Sequence, residues 1–190
     1  LIKNKIEING TELDKWSNIK IFRGILTGYN KAFIVDKNIK KQIVKDEPSA
    51  SNLLKPLLRG KDIKQYTYED SELYLINTHN GYSDKNGQIV NRIHIDDYPV
   101  VKTFLENIEE KRLSGVFGEK EKKAKGLFKR DDQGDTPYNL RNCAYMSDFD
   151  NEKIVWKILG ENLAFSIAGS GVFISASAAA IVSKNNIYLL

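Results

Sequence analysis

Apolar and polar positions alternate along Ile19-Lys-Ile-Phe-Arg-Gly-Ile25 and again along Lys31-Ala-Phe-Ile-Val-Asp36, which predicts two strands. Between them Leu26-Thr-Gly-Tyr-Asn30 predicts a turn, with Gly28 and Asn30 supplying unusual backbone angles. Asp36 is a candidate N-cap for a short helix through Val44, ended by Pro48. Ser49 or Ser51 would open a second helix. Leu53, Leu54, Leu57 and Leu58 would pack on one side of it, Pro56 would sit early in it, and Gly60 would close it. Leu73 to Thr78 reads as a strand, and a loop rich in Asn, Gly and Asp follows to about Arg92. Pro99 starts the most regular helix, with a stripe of Val101, Phe104, Leu105 and Ile108 and a stop at Gly115. Residues 118 to 142 are polar and basic with little periodicity. Strands resume at Lys153 to Leu159, Ala164 to Ala168, Val172 to Val182 and Ile187 to Leu190. Helices in the middle and strands at both ends predict an α+β fold of mixed sheets with short helices, as one domain over residues 1–190. There is no internal repeat.

Composition narrows the class. Hydrophobic residues at 41% and charged residues at 28% describe a chain that folds in water. No apolar stretch reaches about 18 residues, so no transmembrane helix is expected. The most apolar run, Val172 to Val182, is interrupted by Ser175 and Ser177. The single cysteine, Cys143, allows no internal disulfide, and with no signal peptide it favours a reducing, cytoplasmic setting. The chain opens on Leu1 without a methionine and stops on a strand-like segment, so a piece of a larger protein is expected.

A net charge of +4 permits nucleic-acid binding without demanding it. The basic residues divide into 23 lysines and 6 arginines, beside abundant Asn and Ile, which suggests an AT-rich coding source. Lysine is then the default cation and each arginine is informative. The six are Arg23, Arg59, Arg92, Arg112, Arg130 and Arg141.

The residues that catalysis would need do not assemble. An amino-methyltransferase needs adjacent prolines after an acid or Asn, yet Pro48, Pro56, Pro99 and Pro137 are never adjacent. Gly169-Ser-Gly171 lies between strands with no helix after it, which reads as a turn. Glu119-Lys-Glu-Lys122 lies in a solvated charge run. In Asp150-Asn-Glu-Lys153 the adjacent Glu152 and Lys153 would point to opposite faces of a strand, so both segments are only superficially similar to a magnesium-holding nuclease centre. His79 and His94 lack a partner at zinc-ligand spacing. No catalytic residue, metal or cofactor is expected in this chain.

Three segments stand out instead. The turn from Ile21 to Asp36 gathers Arg23, Thr27, Tyr29, Asn30 and Lys31. Asn reads adenine and Arg reads guanine with paired hydrogen bonds, while Thr and Lys suit phosphate oxygens. The same turn is also what a hairpin needs for its geometry alone. Leu57 to Tyr66 clusters Arg59, Lys61 and Lys64 beside Gly60, and a helix C-cap accounts for the glycine and one cation of that cluster. Phe128 to Arg141 interleaves Arg130, Tyr138 and Arg141 with aromatic and polar neighbours, which an exposed loop would also do.

In this order the segments resemble the TaqI-like specificity domain that follows the catalytic domain in adenine methyltransferases and fused type IIG restriction–methylation enzymes. Gly24 to Phe33 matches its Gly-x-x-Thr-Gly-x-Asn-x-Ala-Phe turn, and Leu58 to Ile63 its Leu-Arg-Gly-Lys-Asp-Ile segment. Tyr98-Pro99 with its helix and the strand from Lys153 to Val155 also correspond, so the resemblance spans roughly residues 19 to 190. The resemblance implies a target-recognition domain that grips double-stranded DNA while a methyltransferase catalytic domain of the same chain flips the adenine. S-adenosylmethionine would belong to that neighbouring domain. Side-chain chemistry and position, not the resemblance, nominate Arg23, Thr27, Tyr29, Asn30, Lys31, Arg59, Lys61, Lys64, Arg130, Tyr138 and Arg141 as DNA-binding residues. The alternatives are a protein-interaction module with a basic surface, or half of a type I restriction specificity subunit.

Overall fold

The computed structural model describes residues 2–12, 15, 19–160 and 162–183. The expected strand at 187–190 lies outside them. The described fold is α+β, as expected. Its helices are α1 (Ile2–Asn9), α2 (Asn30–Phe33), α3 (Lys37–Asp46), α4 (Pro99–Leu113), α5 (Glu119–Lys122) and α6 (Gly126–Lys129). Its first strands are β1 (Lys20–Arg23), β2 (Ile34–Asp36), β3 (Leu54–Leu58), β4 (Ile63–Lys64), β5 (Thr67–Tyr68) and β6 (Leu73–Ile76). Then come β7 (Tyr82–Ser83), β8 (Ile89–Val90), β9 (Lys153–Lys157), β10 (Phe165–Ala168), β11 (Phe173–Ile174) and β12 (Ala178–Val182).

Two four-stranded sheets carry the fold. One is antiparallel in the order β1-β12-β9-β10, and the other is mixed in the order β11-β3-β6-β2, with β11 parallel to β3. Phe22 on β1 stacks on Tyr145 at 4.9 Å and meets Phe149 edge-on at 5.3 Å, and Phe149 stacks on Phe173 of β11 at 4.4 Å. This aromatic column joins the sheets through the core. The first four residues of β12, Ala178, Ala179, Ala180 and Ile181, are all buried, so small side chains fill the tight space around it.

Several expectations hold and several are corrected. The Asp36 carboxylate accepts from the Asn38 and Ile39 N–H groups at 2.9 Å each, capping α3. α4 begins on Pro99, buries Val101 and Leu105, and is followed by Gly115 at φ +81°. Residues 31–36 are not one strand: a single helical turn precedes β2, closed by the Ala32 N–H on the Tyr29 carbonyl. The leucine cluster at 53–58 is not a helix. Pro48–Leu53 forms a 3-10 helix and Leu54–Leu58 is β3, with Leu54, Leu57 and Leu58 buried in the sheet. Pro56 falls at the last pair with β6 and just before the first pair with β11, a ladder end that tolerates a missing N–H. The run from Val172 to Val182 is two strands in different sheets, split by a turn at 175–177.

The aperiodic segment after α4 is held by a buried ion pair. Arg112 bonds Glu109 through Nε at 2.9 Å and Nη2 at 2.6 Å, and its Nη1 donates to the Lys122 and Ala124 carbonyls. Glu109 also accepts the Leu127 N–H at 2.9 Å. Burial alone would raise the Glu109 pKa, but the Arg112 hydrogen bonds hold it below its ordinary value.

Candidate nucleic-acid interface

The turn at 175–177 is where three distant segments meet. Ser175 N–H donates to the Leu58 carbonyl, Ala176 N–H to that of Ile25, and Ile158 N–H to that of Ser177. The Gly60 N–H donates to Ser177 Oγ at 2.9 Å. A Cβ on Gly24 would fall 2.1 Å from the Ser175 carbonyl oxygen, and one on Gly60 2.4 Å from that of Ser177. Both glycines are therefore required by close backbone approach. That gives Gly24 and Gly60, the glycines of the two noted motifs, one physical origin.

Two adjoining concavities flank this hub and share Arg59 and Ser177 in their walls. One, of about 670 Å³, is lined by Arg59, Lys61, Lys64, Lys157 and Asn162 among others. The other, of about 400 Å³, is lined by Thr27, Gly28, Asn30, Arg59, Asp132 and the 175–177 turn. Arg59 stands between them in a fixed pose. Its Nε and Nη2 donate to the two oxygens of Asp62 at 2.9 Å each, and Asp62 also accepts the Arg59 backbone N–H and the Ser71 hydroxyl. Burial alone would raise the Asp62 pKa, but these bonds hold the carboxyl below its ordinary range. Arg59 Nη1 makes no hydrogen bond among the described residues, and neither Lys61 nor Lys157 makes an ion pair there. Lys64 lies 3.6 Å from Glu69 in a loose, exposed pair.

The other nominated residues divide sharply. Arg23 is exposed and donates to the Ala176 carbonyl at 2.8 Å, at the edge of the hub. Asn30 is exposed and accepts from the Thr27 hydroxyl at 2.6 Å. Lys31 is exposed over the Phe117 ring, and Arg141 is exposed and paired with Asp132 at 2.9 Å.

Three side chains are turned inward. Thr27 is buried and accepts the Tyr29 N–H. Tyr29 belongs to the core; burial, then the charges of Glu121 and Glu109, push its pKa up to about 12. Arg130 is 2% exposed and donates to the carbonyls of Thr27, Asp132, Pro137 and Asn139 while stacking on Phe33 at 4.5 Å. Burial brings its pKa down to about 10, so it stays charged at neutral pH. Thr27 still forms part of the wall of the smaller concavity, whereas Tyr29 and Arg130 are held within the fold. Tyr138 is half-buried, and its hydroxyl donates to Glu106 at 2.6 Å.

Sequence reasoning marked the stretch ending at Lys157 but nominated none of Lys157, Asn162, Ser175 and Ser177. Ser175 and Ser177 reach the site through the crossing of β11 into β12, while Lys157 ends β9 and Asn162 lies in the connection from β9 to β10. Among the described residues no group of three or more His, Cys, Asp or Glu could hold a metal ion, and no helix is long and apolar enough to cross a membrane.

No family model matches the sequence, and no curated protein matches it either. The structure is similar to that of the type IIL restriction-modification enzyme MmeI in complex with DNA, with a TM-score of 0.51 and 14% identity. The likeness covers 85% of this chain and 19% of that one, so this chain spans about a fifth of its neighbour's length. At that identity the likeness concerns the fold.

Proposed function

We propose that this chain is the DNA target-recognition domain of a restriction–modification adenine methyltransferase of the type II or IIG kind. It would read duplex DNA across the paired concavities at the 175–177 hub. The observation that carries the reading is Arg59, held rigid by Asp62 and set between two clefts with Lys61 and Lys157 beside it. With Nε and Nη2 occupied by Asp62, the far end of the guanidinium is left to meet the O6 and N7 edge of a guanine. Asn30 and Arg141 add base-reading chemistry, and Arg23, Lys31 and the cleft lysines add phosphate-directed charge. The likeness in fold to an enzyme solved with DNA supports the same reading. The methyl donor, S-adenosylmethionine, and the catalytic residues would sit in a methyltransferase domain of the same chain, and the setting would be cytoplasmic.

The test is fluorescence anisotropy with a randomised duplex at low and moderate salt, followed by sequencing of the bound fraction. Salt-dependent binding with one enriched short motif is expected. Absence of binding even at low salt would overturn the reading and leave a basic surface suited to an acidic protein.

A further inference from the structure

Two hairpin tips stand beside the larger concavity, and both expose large side chains. One is the β4–β5 turn, where Tyr66 is 70% exposed and holds φ +65°. The two-residue turn between Lys64 and Thr67 needs a left-handed residue, and glycine or asparagine fills such a place more often than a bulky ring. The Tyr66 N–H donates to the Phe165 carbonyl at 2.7 Å, which ties this tip to the start of β10. The other tip joins β9 to β10, where Leu159 is 83% exposed, Leu163 72% and Ile158 43%. Leu159 and Leu163 line the same concavity as Lys61, Lys64 and Lys157. Large apolar side chains grouped at one exposed tip mark an interaction surface, and the adjoining cations favour a polyanion as the cover.

Resting on the recognition reading above, we infer that Tyr66, Leu159 and Leu163 form an apolar wedge that inserts at one base step of the duplex while the neighbouring lysines hold the flanking phosphates. A wedge of this kind requires the duplex to open at one step, so it gains from DNA in which that step is already open. The turn sets the positive φ, and on this view the wedge is why an exposed tyrosine stands where glycine would form the turn more easily.

The experiment measures anisotropy of the whole chain with two duplexes of one mixed sequence, intact or with a central two-nucleotide mismatch. A preference of about tenfold for the mismatched duplex is expected. Leu159→Ser with Leu163→Ser should abolish it and leave the salt dependence unchanged, whereas Lys61→Ala with Lys157→Ala should flatten the salt dependence and keep the preference. Tyr66→Gly should weaken the preference without lowering the melting temperature, which separates a lost wedge from a lost fold. Salt-dependent binding with equal affinity for both duplexes, untouched by the leucine changes, would overturn the wedge alone. No binding to either duplex would overturn the wedge and the recognition reading together.

Discussion

Arg130 and Arg59 carry the same side chain in two segments marked by the same reasoning, and the structure uses them in opposite ways. Arg130 meets four backbone carbonyls and an aromatic face, makes no ion pair among the described residues, and fastens the 128–141 loop to the 27–30 turn. Arg59 meets one carboxylate through one side of its fork and turns the rest toward two clefts. The difference lies in what surrounds the guanidinium. Carbonyls left unpaired by an irregular loop draw a cation inward, because each buried acceptor without a partner costs about 1–3 kcal/mol. An acid three residues away on a short turn instead steadies an arginine at the surface.

The strongest way to break this comparison is to remove the inward arginine. Arg130→Met removes the guanidinium from the Thr27, Asp132 and Pro137 carbonyls and leaves that of Asn139 with the Gly134 N–H alone, and a stability loss of about 3–5 kcal/mol is expected. Urea unfolding followed by circular dichroism measures it. A variant with wild-type stability and weakened DNA binding would move Arg130 into the outward class.

Lys153 extends the inward class. It is fully buried, and its ammonium donates to the Gly169 and Val172 carbonyls at 3.1 and 3.0 Å. Burial brings its pKa down from 10.5 to about 8. Between about pH 8 and 10.5 the folded chain therefore binds fewer protons at this site than the unfolded chain, so its contribution to stability rises with pH through that window. Lys153→Met lacks that rise. The gap between the two proteins should shift in favour of the wild type by about 2 kcal/mol from pH 7 to pH 10. The Cys143 thiol, pushed up to about 11 mainly by burial, opposes the rise in both proteins and cancels in the difference. Parallel urea midpoints for wild type and variant that stay equally spaced across this range would remove Lys153 from the class.

These residues mark what the sequence could and could not express. Local signals were legible wherever the physics is local. Asp36 capped its helix, and Pro99 and Gly115 bounded α4, because a cap or a stop depends on a few neighbouring residues. Leu54 to Leu58 was misread because its leucines are spaced for a helix face, and only pairing with β6 and β11 makes it a strand. The direction of Arg130 was hidden because its acceptors come from three stretches of loop, one of them more than a hundred residues away. The motif glycines were visible as motifs, but their cause, the 175–177 turn pressing on both, lies more than a hundred positions downstream.

The finer edge of the comparison is whether Arg59 reads a base or only holds a phosphate. Its pairing with Asp62 makes two substitutions informative. Arg59→Ala removes both the fork and its far end. Arg59→Lys keeps a charge near Asp62 but cannot bond the carboxylate in a planar fork while offering a second planar pair outward. If the far end meets a guanine edge, both variants lose about 1–3 kcal/mol on the selected duplex and less on a scrambled one. If it meets a phosphate, Arg59→Lys retains most of the affinity, and Arg59→Ala weakens both duplexes alike with a shallower salt dependence. Anisotropy titrations of the two variants against both duplexes at two salt concentrations separate these outcomes. Equal losses on the two duplexes would leave Asn30 and Arg141 as the remaining candidates for base reading.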